Sequence, residues 1–219
     1  MLATIVSLIL QQNRLFMQQL GLFAPEKSYV TKQLMNGSYL YIPDFYGKSE
    51  ADKLFSKLIT DIQWKQESMR LYGKEIKFPR LTAWYGDCDK PYSFSGITLQ
   101  PNKWTQELTA IKDKVEHFAE ERFNSVLLNR YRNGNDSISW HTDAEKELGR
   151  NPVIASVNFG AARKFQLKHM HNGEREDIFL QHGSLLVMLG ELQHYWKHQI
   201  PKTKKLVGER VNLTFRKIL

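Results

Sequence analysis

One cysteine, Cys88, is all that the 219-residue sequence contains. A single thiol excludes an intrachain disulfide and a cysteine-rich zinc motif, and it suits a reducing, intracellular compartment, the cytoplasm of a bacterium or the nucleus of a eukaryote. Internal repeats and low-complexity linkers are lacking as well. The apolar run at residues 1–10 is too short to span a bilayer, which takes about 20 residues, and it lacks the basic start and cleavage site of a signal peptide. We therefore expect a helix packed on the body or an extension.

What the chain does contain is a large apolar fraction and an excess of positive charge. Hydrophobic residues make up 42% of the sequence, which is enough for one domain or for a core with an appended lid. The formal net charge of +8 suits a polyanionic partner. Basic clusters at residues 77–80 and 202–205 are candidates for phosphate contacts, although charge runs are more often simply solvated surface.

The patterning predicts helices first and strands later. Residues 39–42 read as a strand, and Leu54, Leu58 and Ile62 recur at helical spacing after it. A second helix is predicted from a stripe with the same period, which we interpret as core: Trp104, Leu108, Ile111, Val115 and Phe118. From Ser125 onward the chain alternates or forms short apolar runs separated by turns, which favours a mainly β barrel or sandwich with flanking helices.

The last strand of this region, residues 210–216, separates polar from apolar side chains. Because side chains alternate along a strand, Arg210, Asn212, Thr214 and Arg216 share one face, and the intervening apolar residues share the other. An amphipathic surface strand is the ordinary explanation of such a pattern. Residues 129–131 and 141–143 show the same alternation, however, so three segments could present polar pairs to one cavity.

His141 and Asp143 form an HxD pair whose side chains would leave a strand in the same direction. Two histidines and one carboxylate form the facial triad that leaves positions open on Fe(II). The pattern alone does not choose the third ligand: His117, His169, His171, His182, His194 and His198 are all available.

The order of these motifs resembles the AlkB family of Fe(II)/2-oxoglutarate dioxygenases, and most of all its members that repair alkylated double-stranded DNA. The resemblance runs from about residue 39 to the C-terminus and rests on segments 129–131, 141–143, 154–160, 182–186, 198 and 210–216. It implies a double-stranded β-helix, or jelly roll, with an N-terminal nucleotide-recognition lid. The corresponding division is an extension at 1–37, helices and lid at 38–124, and the dioxygenase core at 125–219.

The resemblance also implies the cofactor site. It identifies His141, Asp143 and His198 as catalytic iron ligands, with 2-oxoglutarate and O2 as cosubstrates. The residues that would hold 2-oxoglutarate are Asn129, Tyr131, Arg210, Asn212, Thr214 and Arg216. A dicarboxylate suits two arginines, because guanidinium–carboxylate pairs are strong and arginine keeps its charge.

Further residues are implied as substrate contacts. Tyr92, Phe94 and Ser95 resemble the segment that lines the pocket for a damaged base, where aromatic rings replace the lost stacking. Tyr72, Gly73 and Lys74 lie where double-strand-acting members carry an aromatic finger. Core aromatics and an ordinary turn are the alternatives. Ala144 departs from the family, which has a second acid after the HxD aspartate, and Glu145 remains as a base contact.

The implied activity is oxidative demethylation of 1-methyladenine and 3-methylcytosine in DNA by a monomer without a membrane partner. RNA demethylation or another 2-oxoglutarate hydroxylation remains open. So do a non-catalytic nucleic-acid-binding module and a cupin-like metal protein acting on a small molecule. Buried arginines beside a metal triad argue against the last two, because unpaired buried cations are costly.

Overall fold

The computed structural model describes residues 29–71, 74–87, 92–94, 97–99 and 101–219. The apolar run at residues 1–10, Cys88, Tyr72, Gly73 and Ser95 lie outside these ranges. Three helices occur in the described residues: α1 (Lys48–Asp61), α2 (Gln106–Ala119) and the short α3 (Leu192–Tyr195). The strands are β1 (Val30–Leu34), β2 (Gly37–Ile42), β3 (Ser68–Leu71), β4 (Lys74–Lys77), β5 (Leu81–Gly86), β6 (Tyr92–Phe94), β7 (Ile97–Leu99), β8 (Ser125–Tyr131), β9 (Ile138–His141), β10 (Ile154–Gly160), β11 (Arg163–His169), β12 (Arg175–Leu180), β13 (Ser184–Leu189), β14 (Trp196–Ile200) and β15 (Arg210–Arg216).

Two antiparallel sheets form the body. The large sheet has the strand order β1-β2-β13-β10-β15-β8-β5, and the small sheet has the order β12-β11-β14-β9. An apolar cluster between them joins Ile154, Leu186 and Met188 of the large sheet to Phe165 and Trp196 of the small one. This arrangement confirms the predicted jelly roll, and two separate hairpins, β3-β4 and β6-β7, precede α2.

The two long helices contribute to the core on the other side of the large sheet. Leu58 of α1 and Leu108, Ile111 and Val115 of α2 belong to one buried cluster with the apolar residues of β8, β10, β13 and β15. Helix α2 begins after Thr105, whose hydroxyl caps it by accepting from the Leu108 N–H at 3.2 Å. The helical stripe predicted from the sequence is therefore core, although Trp104 precedes the helix.

This layering explains why every residue of β15 is buried. Val211, Leu213 and Phe215 pack in the cluster that contains the helices, while the polar residues of β15 face the inside of the jelly roll. The strand is thus a buried central strand, and the prediction of a shared polar face toward a cavity is confirmed.

The division of the chain at residues 37 and 124 stays a prediction. Strands β1, β2 and β5, which precede residue 125, are hydrogen-bonded into the same sheet as the strands that follow it. Among the described residues, no helix has the length and apolar character needed to cross a membrane.

Candidate metal and cosubstrate site

Two strands of the small sheet bring the predicted metal ligands together. His198 of β14 lies directly opposite His141 of β9, and their ring centroids are 4.2 Å apart. Asp143 follows β9 by two residues. One ligand atom from each of the three residues lies within 4.8 Å of the others, so the third histidine that the pattern left open is His198.

Asp143 lies beyond the end of its strand, and other elements hold it in place. Its backbone N–H donates to the Gln193 side-chain carbonyl of α3 at 2.9 Å. Its carboxylate accepts from Arg216 at 2.8 Å. Burial by itself would raise the pKa of Asp143, but the charges of Arg216, His198 and His141 outweigh it and lower the pKa to about 2. The carboxylate is therefore ionised and ready to bind a cation.

Both histidines are held in forms that suit metal binding. The His141 Nδ1 lies 2.8 Å from the Ser139 carbonyl oxygen, which can only accept, so Nδ1 carries the proton and Nε2 keeps its lone pair. His198 is buried and stacks on Phe165, with ring centroids 5.2 Å apart. Burial, helped by the positive surroundings, lowers the pKa of His198 to about 3 and keeps its imidazole neutral.

Gln193 gives a first prediction about metal affinity. The variant Gln193→Leu removes the acceptor of the Asp143 N–H and frees the backbone that carries the carboxylate. Because residues that orient metal ligands typically contribute 10–100-fold to affinity, we expect the dissociation constant for Co(II) to rise by about that factor. Titration followed by the d–d absorption of Co(II) measures it.

The matched control is Gln199→Leu, next to His198 and on the opposite face of β14, where the side-chain amide donates to Gln166 at 2.8 Å. Equal Co(II) affinity in the wild type and Gln193→Leu would show that the Asp143 loop holds its position without Gln193.

A cavity of about 490 Å³, part of it open to solvent, extends from these ligands into the jelly roll. It is lined by Leu127, Asn129, Tyr131, Ile138, His141, Asp143, Ser156, Phe165, Met188, His198, Ile200, Arg210, Asn212, Thr214 and Arg216. Every residue predicted to hold iron or 2-oxoglutarate is in this lining. The three polar segments therefore do meet at one cavity.

Arg210 carries the clearest electrostatic signal in the cavity. Its Nη2 donates to Asn158 Oδ1, and its guanidinium lies 5.0 Å from the centroid of the Tyr131 ring. Its Nε and Nη1 are buried and have no hydrogen-bond partner within the described residues. Burial lowers the pKa of Arg210 to about 10, which leaves it charged at neutral pH. A buried guanidinium with unused donors calls for an anion.

Neutral polar groups surround the anion position. The Asn212 amide donates to Ser156 Oγ at 2.8 Å, and the Thr214 hydroxyl donates to Asn212 Oδ1 at 3.1 Å. These contacts follow from the register, in which Asn158 and Ser156 of β10 lie opposite Asn212 and Thr214 of β15. The cavity wall is thus a hydrogen-bonded ladder whose side chains are fixed before any ligand binds.

Arg80 corrects one expectation. The cluster at residues 77–80 is a candidate for phosphate contacts or for solvated surface, but Arg80 is buried and its Nε donates to Asn129 Oδ1 at 2.7 Å. Its Nη1 donates to the Ser137 carbonyl at 3.4 Å. Because the Asn129 oxygen is taken by Arg80, the amide nitrogen is the group left to face the cavity. Arg80 is therefore a positioning residue for Asn129 and not a surface contact.

The variant Arg80→Met tests this role. Loss of the donor frees the Asn129 amide to rotate, so we expect the KM for 2-oxoglutarate to rise about tenfold, the equivalent of one hydrogen bond to a charged group, with a smaller change in kcat. Steady-state kinetics over a range of 2-oxoglutarate concentrations measures the split.

The control is Arg130→Met. Arg130 follows Asn129 in β8, and the variant removes its bidentate ion pair with Glu209. It should change stability without changing this KM. If both variants raise the KM for 2-oxoglutarate equally, Arg80 only supports the structure in general and does not position Asn129.

The structure describes only some of the residues predicted to contact the substrate. Tyr92 and Phe94 belong to β6, and Lys74 begins β4 with an exposed side chain. Tyr72, Gly73 and Ser95 lie outside the described residues. Glu145 precedes a short 3-10 helix, and its Oε2 is buried with no hydrogen-bond partner within the described ranges. Its role as a base contact stays a prediction.

Other histidines have structural contacts. The His182 Nδ1 accepts the Gly160 N–H at 2.8 Å and its Nε2 lies 3.1 Å from Asp52, which connects β10 to α1. The His169 Nδ1 accepts two N–H groups in the turn after β11. Neither lies in the cavity.

Sequence reasoning missed several residues of the site. Ser156 and Asn158 alternate with Ala155, Val157 and Phe159, so a strand pattern could have found them. Phe165 likewise alternates with Lys164 and Gln166 in β11. Arg80 and Gln193 reach the site from segments with no such pattern, and only the tertiary structure shows their contacts.

A jelly roll with two histidines and a carboxylate beside a buried anion cavity defines a class, the non-haem iron enzymes that use an acidic cosubstrate. The profile of the 2OG-Fe(II) oxygenase superfamily matches residues 37–216. The chain is 42% identical over 186 residues to alpha-ketoglutarate-dependent dioxygenase alkB homolog 3 of Bos taurus, covering 80% of this chain and 64% of that protein. It is 37% identical over 206 residues to DNA oxidative demethylase ALKBH2 of Homo sapiens, covering 89% and 78%.

The chain therefore belongs to the 2OG-Fe(II) oxygenase superfamily and, within it, to the AlkB family. It spans about two thirds of the length of the homolog 3 relatives, 64% for that of Bos taurus. The solved structure of OsALKBH1 shares the fold, with a TM-score of 0.61 at 17% identity, and the match covers 85% of this chain and 100% of that one.

The cofactor of this family is Fe(II), and its cosubstrates are 2-oxoglutarate and O2. The residues present fit the metal and the dicarboxylate. Three donors of the right kind converge, with the carboxylate ionised and both imidazoles able to offer a lone pair. The unused donors of buried Arg210 suit the far carboxylate of a dicarboxylic acid.

Proposed function

We propose that this protein oxidatively demethylates N-alkylated bases in DNA, with 1-methyladenine and 3-methylcytosine as substrates, and so repairs DNA by direct reversal. The observation that carries the proposal is the convergence of His141, Asp143 and His198 at a cavity whose wall holds Arg210 with unused donors. The similarity to DNA oxidative demethylase ALKBH2, with 37% identity to the human protein, supports DNA as the substrate.

Each part of the cavity has a proposed role. His141, Asp143 and His198 hold the metal, and Arg210 and Tyr131 receive the far carboxylate of 2-oxoglutarate. Arg216, Asn129, Asn212 and Thr214 complete the polar wall. When bound, Fe(II) would allow O2 to convert an N-methyl C–H bond into C–OH, with 2-oxoglutarate as the co-reductant that takes up the second oxygen atom and leaves as succinate and CO2. The resulting hemiaminal collapses to formaldehyde and the unmodified base.

The protein itself contributes the positioning of the target base at the metal and the exclusion of water from it. The metal ligands lie inside the sandwich, so a base must leave the helix to reach them, and unstacking costs a few kcal/mol. Tyr92 and Phe94 are proposed to restore stacking, and Ser95 to line the same pocket. Tyr72, Gly73 and Lys74 are proposed to occupy the gap in the duplex. Glu145 has an unused acceptor that suits an exocyclic amine or a cationic base.

The test is mass spectrometry of single- and double-stranded oligonucleotides that carry one methylated base. We expect loss of one methyl mass only when Fe(II) and 2-oxoglutarate are both present, and no loss after chelation with EDTA. RNA oligonucleotides of the same sequence form a second arm, because an RNA demethylase is the alternative within this class. Tight binding with no methyl loss under any condition would leave a non-catalytic binding module and contradict the proposal.

Oligomeric state and compartment are also proposals. We expect a monomer, and light scattering after gel filtration tests it. The compartment follows from the substrate: the nucleus in a eukaryote or the cytoplasm in a bacterium, where the thiol of Cys88 stays reduced.

A further inference from the structure

The outer face of the small sheet carries an unusual row of side chains. Along β11 and β14 buried and half-buried residues alternate, so Lys168 and Lys197 point away from the cavity. The register places Arg175 of β12 opposite Lys168, and Lys168 opposite Lys197. Trp140 of β9 ends the row, with the Lys197 ammonium 5.9 Å from the ring centroid. We call these four residues the basic row.

The three cations of the basic row do not stabilise one another. Like charges directly opposite each other on neighbouring strands are destabilising, and here two such pairs follow one another. Within the described residues, none of the three cations forms an ion pair. Asp177, which shares their face on β12, is engaged by Lys164 at 2.7 Å and Gln166 at 3.0 Å. The row is thus a line of positive charge with which no carboxylate of the described residues forms a direct ion pair, although Asp177 attracts Arg175 from a longer distance.

The position of the row relates it to the catalytic cavity. β9 is an edge strand of the small sheet, and Trp140 immediately precedes His141, the most exposed of the three metal ligands. With neighbouring strands about 4.8 Å apart, the row extends roughly 14 Å from that edge across all four strands. A chain that leaves the cavity past His141 would meet an aromatic ring first and then three cations.

We propose that the basic row binds a single DNA strand flanking the target base, with the cations contacting phosphates and Trp140 stacking on a base. The combination of a cationic track with an aromatic platform is the chemistry of single-strand binding that does not depend on sequence. This inference rests on the proposed function, because it assumes that the strand reaching the cavity is DNA.

The test is binding of a fluorescein-labelled 20-nucleotide single strand to the full chain, measured by anisotropy between 50 and 200 mM salt. For Lys168→Ala/Lys197→Ala we expect about tenfold weaker binding at low salt and a salt slope smaller by about 1.4, two contacts at 0.7 each. A four-nucleotide strand held at the cavity should show less than a twofold change, because it does not extend along the row.

The matched control is Lys53→Ala/Lys103→Ala, which removes the same charge from exposed positions on α1 and before α2. The melting temperature provides a check on folding. Removing Lys168 and Lys197 abolishes two like-charge pairs but also the contact of Lys197 with Trp140, so the row variant should melt close to the wild-type temperature. Trp140→Leu should also weaken the 20-nucleotide complex, because it removes the stacking platform.

Four results would overturn the inference: equal weakening by the row and control variants, no weakening, weakening for an RNA 20-mer alone, or weakening for an acidic peptide and not for DNA. The outcome is separable from the proposed function. If the protein removes the methyl group and the row variant binds the 20-nucleotide strand like the wild type, the proposed demethylase activity stands and the DNA contact of the basic row is rejected. If the row variant binds the 20-nucleotide strand more weakly and the wild type removes no methyl group, the DNA contact of the basic row stands and the demethylase activity is rejected.

Discussion

Replacement of Asp143 by alanine is expected to lower turnover on a methylated oligonucleotide by at least about a thousandfold, because a bound metal contributes several kcal/mol and each 1.4 kcal/mol is tenfold in rate. Asp143 is the one anionic ligand of the candidate triad, and its ionised carboxylate lies 2.8 Å from Arg216. Formaldehyde release measures turnover, and Co(II) absorption measures metal binding independently of turnover.

This variant also removes the carboxylate partner of a buried arginine, which typically costs 3–5 kcal/mol of stability. The double variant Asp143→Ala/Arg216→Met separates the two effects. It should recover much of the lost melting temperature and none of the turnover. An Asp143→Ala protein that is folded, binds Co(II) like the wild type and remains active would refute the assignment of this ligand.

Replacement of Arg210 by methionine is expected to act in opposite directions on stability and on function. Without a ligand the variant should be as stable as the wild type or more stable, since it removes a buried charge that has no carboxylate partner within the described residues. Its KM for 2-oxoglutarate should rise about a hundredfold, because the guanidinium is the proposed partner of the far carboxylate.

Thermal melting with and without 2-oxoglutarate in the presence of Mn(II) measures both effects. The wild type should gain about 2.7 kcal/mol at a concentration one hundred times the dissociation constant, and Arg210→Met should gain almost nothing at the same concentration. Arg130→Met, on the adjacent strand with its guanidinium paired to Glu209, should keep the full ligand-dependent gain. An undiminished gain in Arg210→Met would place the dicarboxylate elsewhere.

The opposed effects reflect how the site is built. β15 is buried on both faces, and its own side chains are apolar on one face and polar on the other. On its polar face some groups form hydrogen bonds with neighbours, as Arg210 Nη2 does with Asn158. Others, such as Arg210 Nε and Nη1, have no hydrogen-bond partner within the described residues. The unpaired donors of Arg210 thus lower the stability of the free protein, and the same donors can bind an anion.

Several features of this protein follow from the sequence alone. The period-two alternation in residues 210–216 places four polar side chains on one face, whatever the strand packs against. The helical stripe from Leu108 to Phe118 has to be buried for the same kind of reason. The order of the motifs points to the AlkB family, and with it to the ligands His141, Asp143 and His198. These are properties of local geometry and of a pattern along the chain.

Only the tertiary structure decided which residues support the site from a distance. Gln193 lies 50 residues from Asp143, and Arg80 lies 49 residues from Asn129, so no local period connects either pair. The sequence made Arg80 look like a surface cation, and strand pairing turned it inward to an amide oxygen. The basic row arises likewise from the register of β12, β11 and β14, which brings together cations that are separate in the chain. Strand register and layer packing depend on the whole chain, and for that reason these contacts could not be found in any single segment.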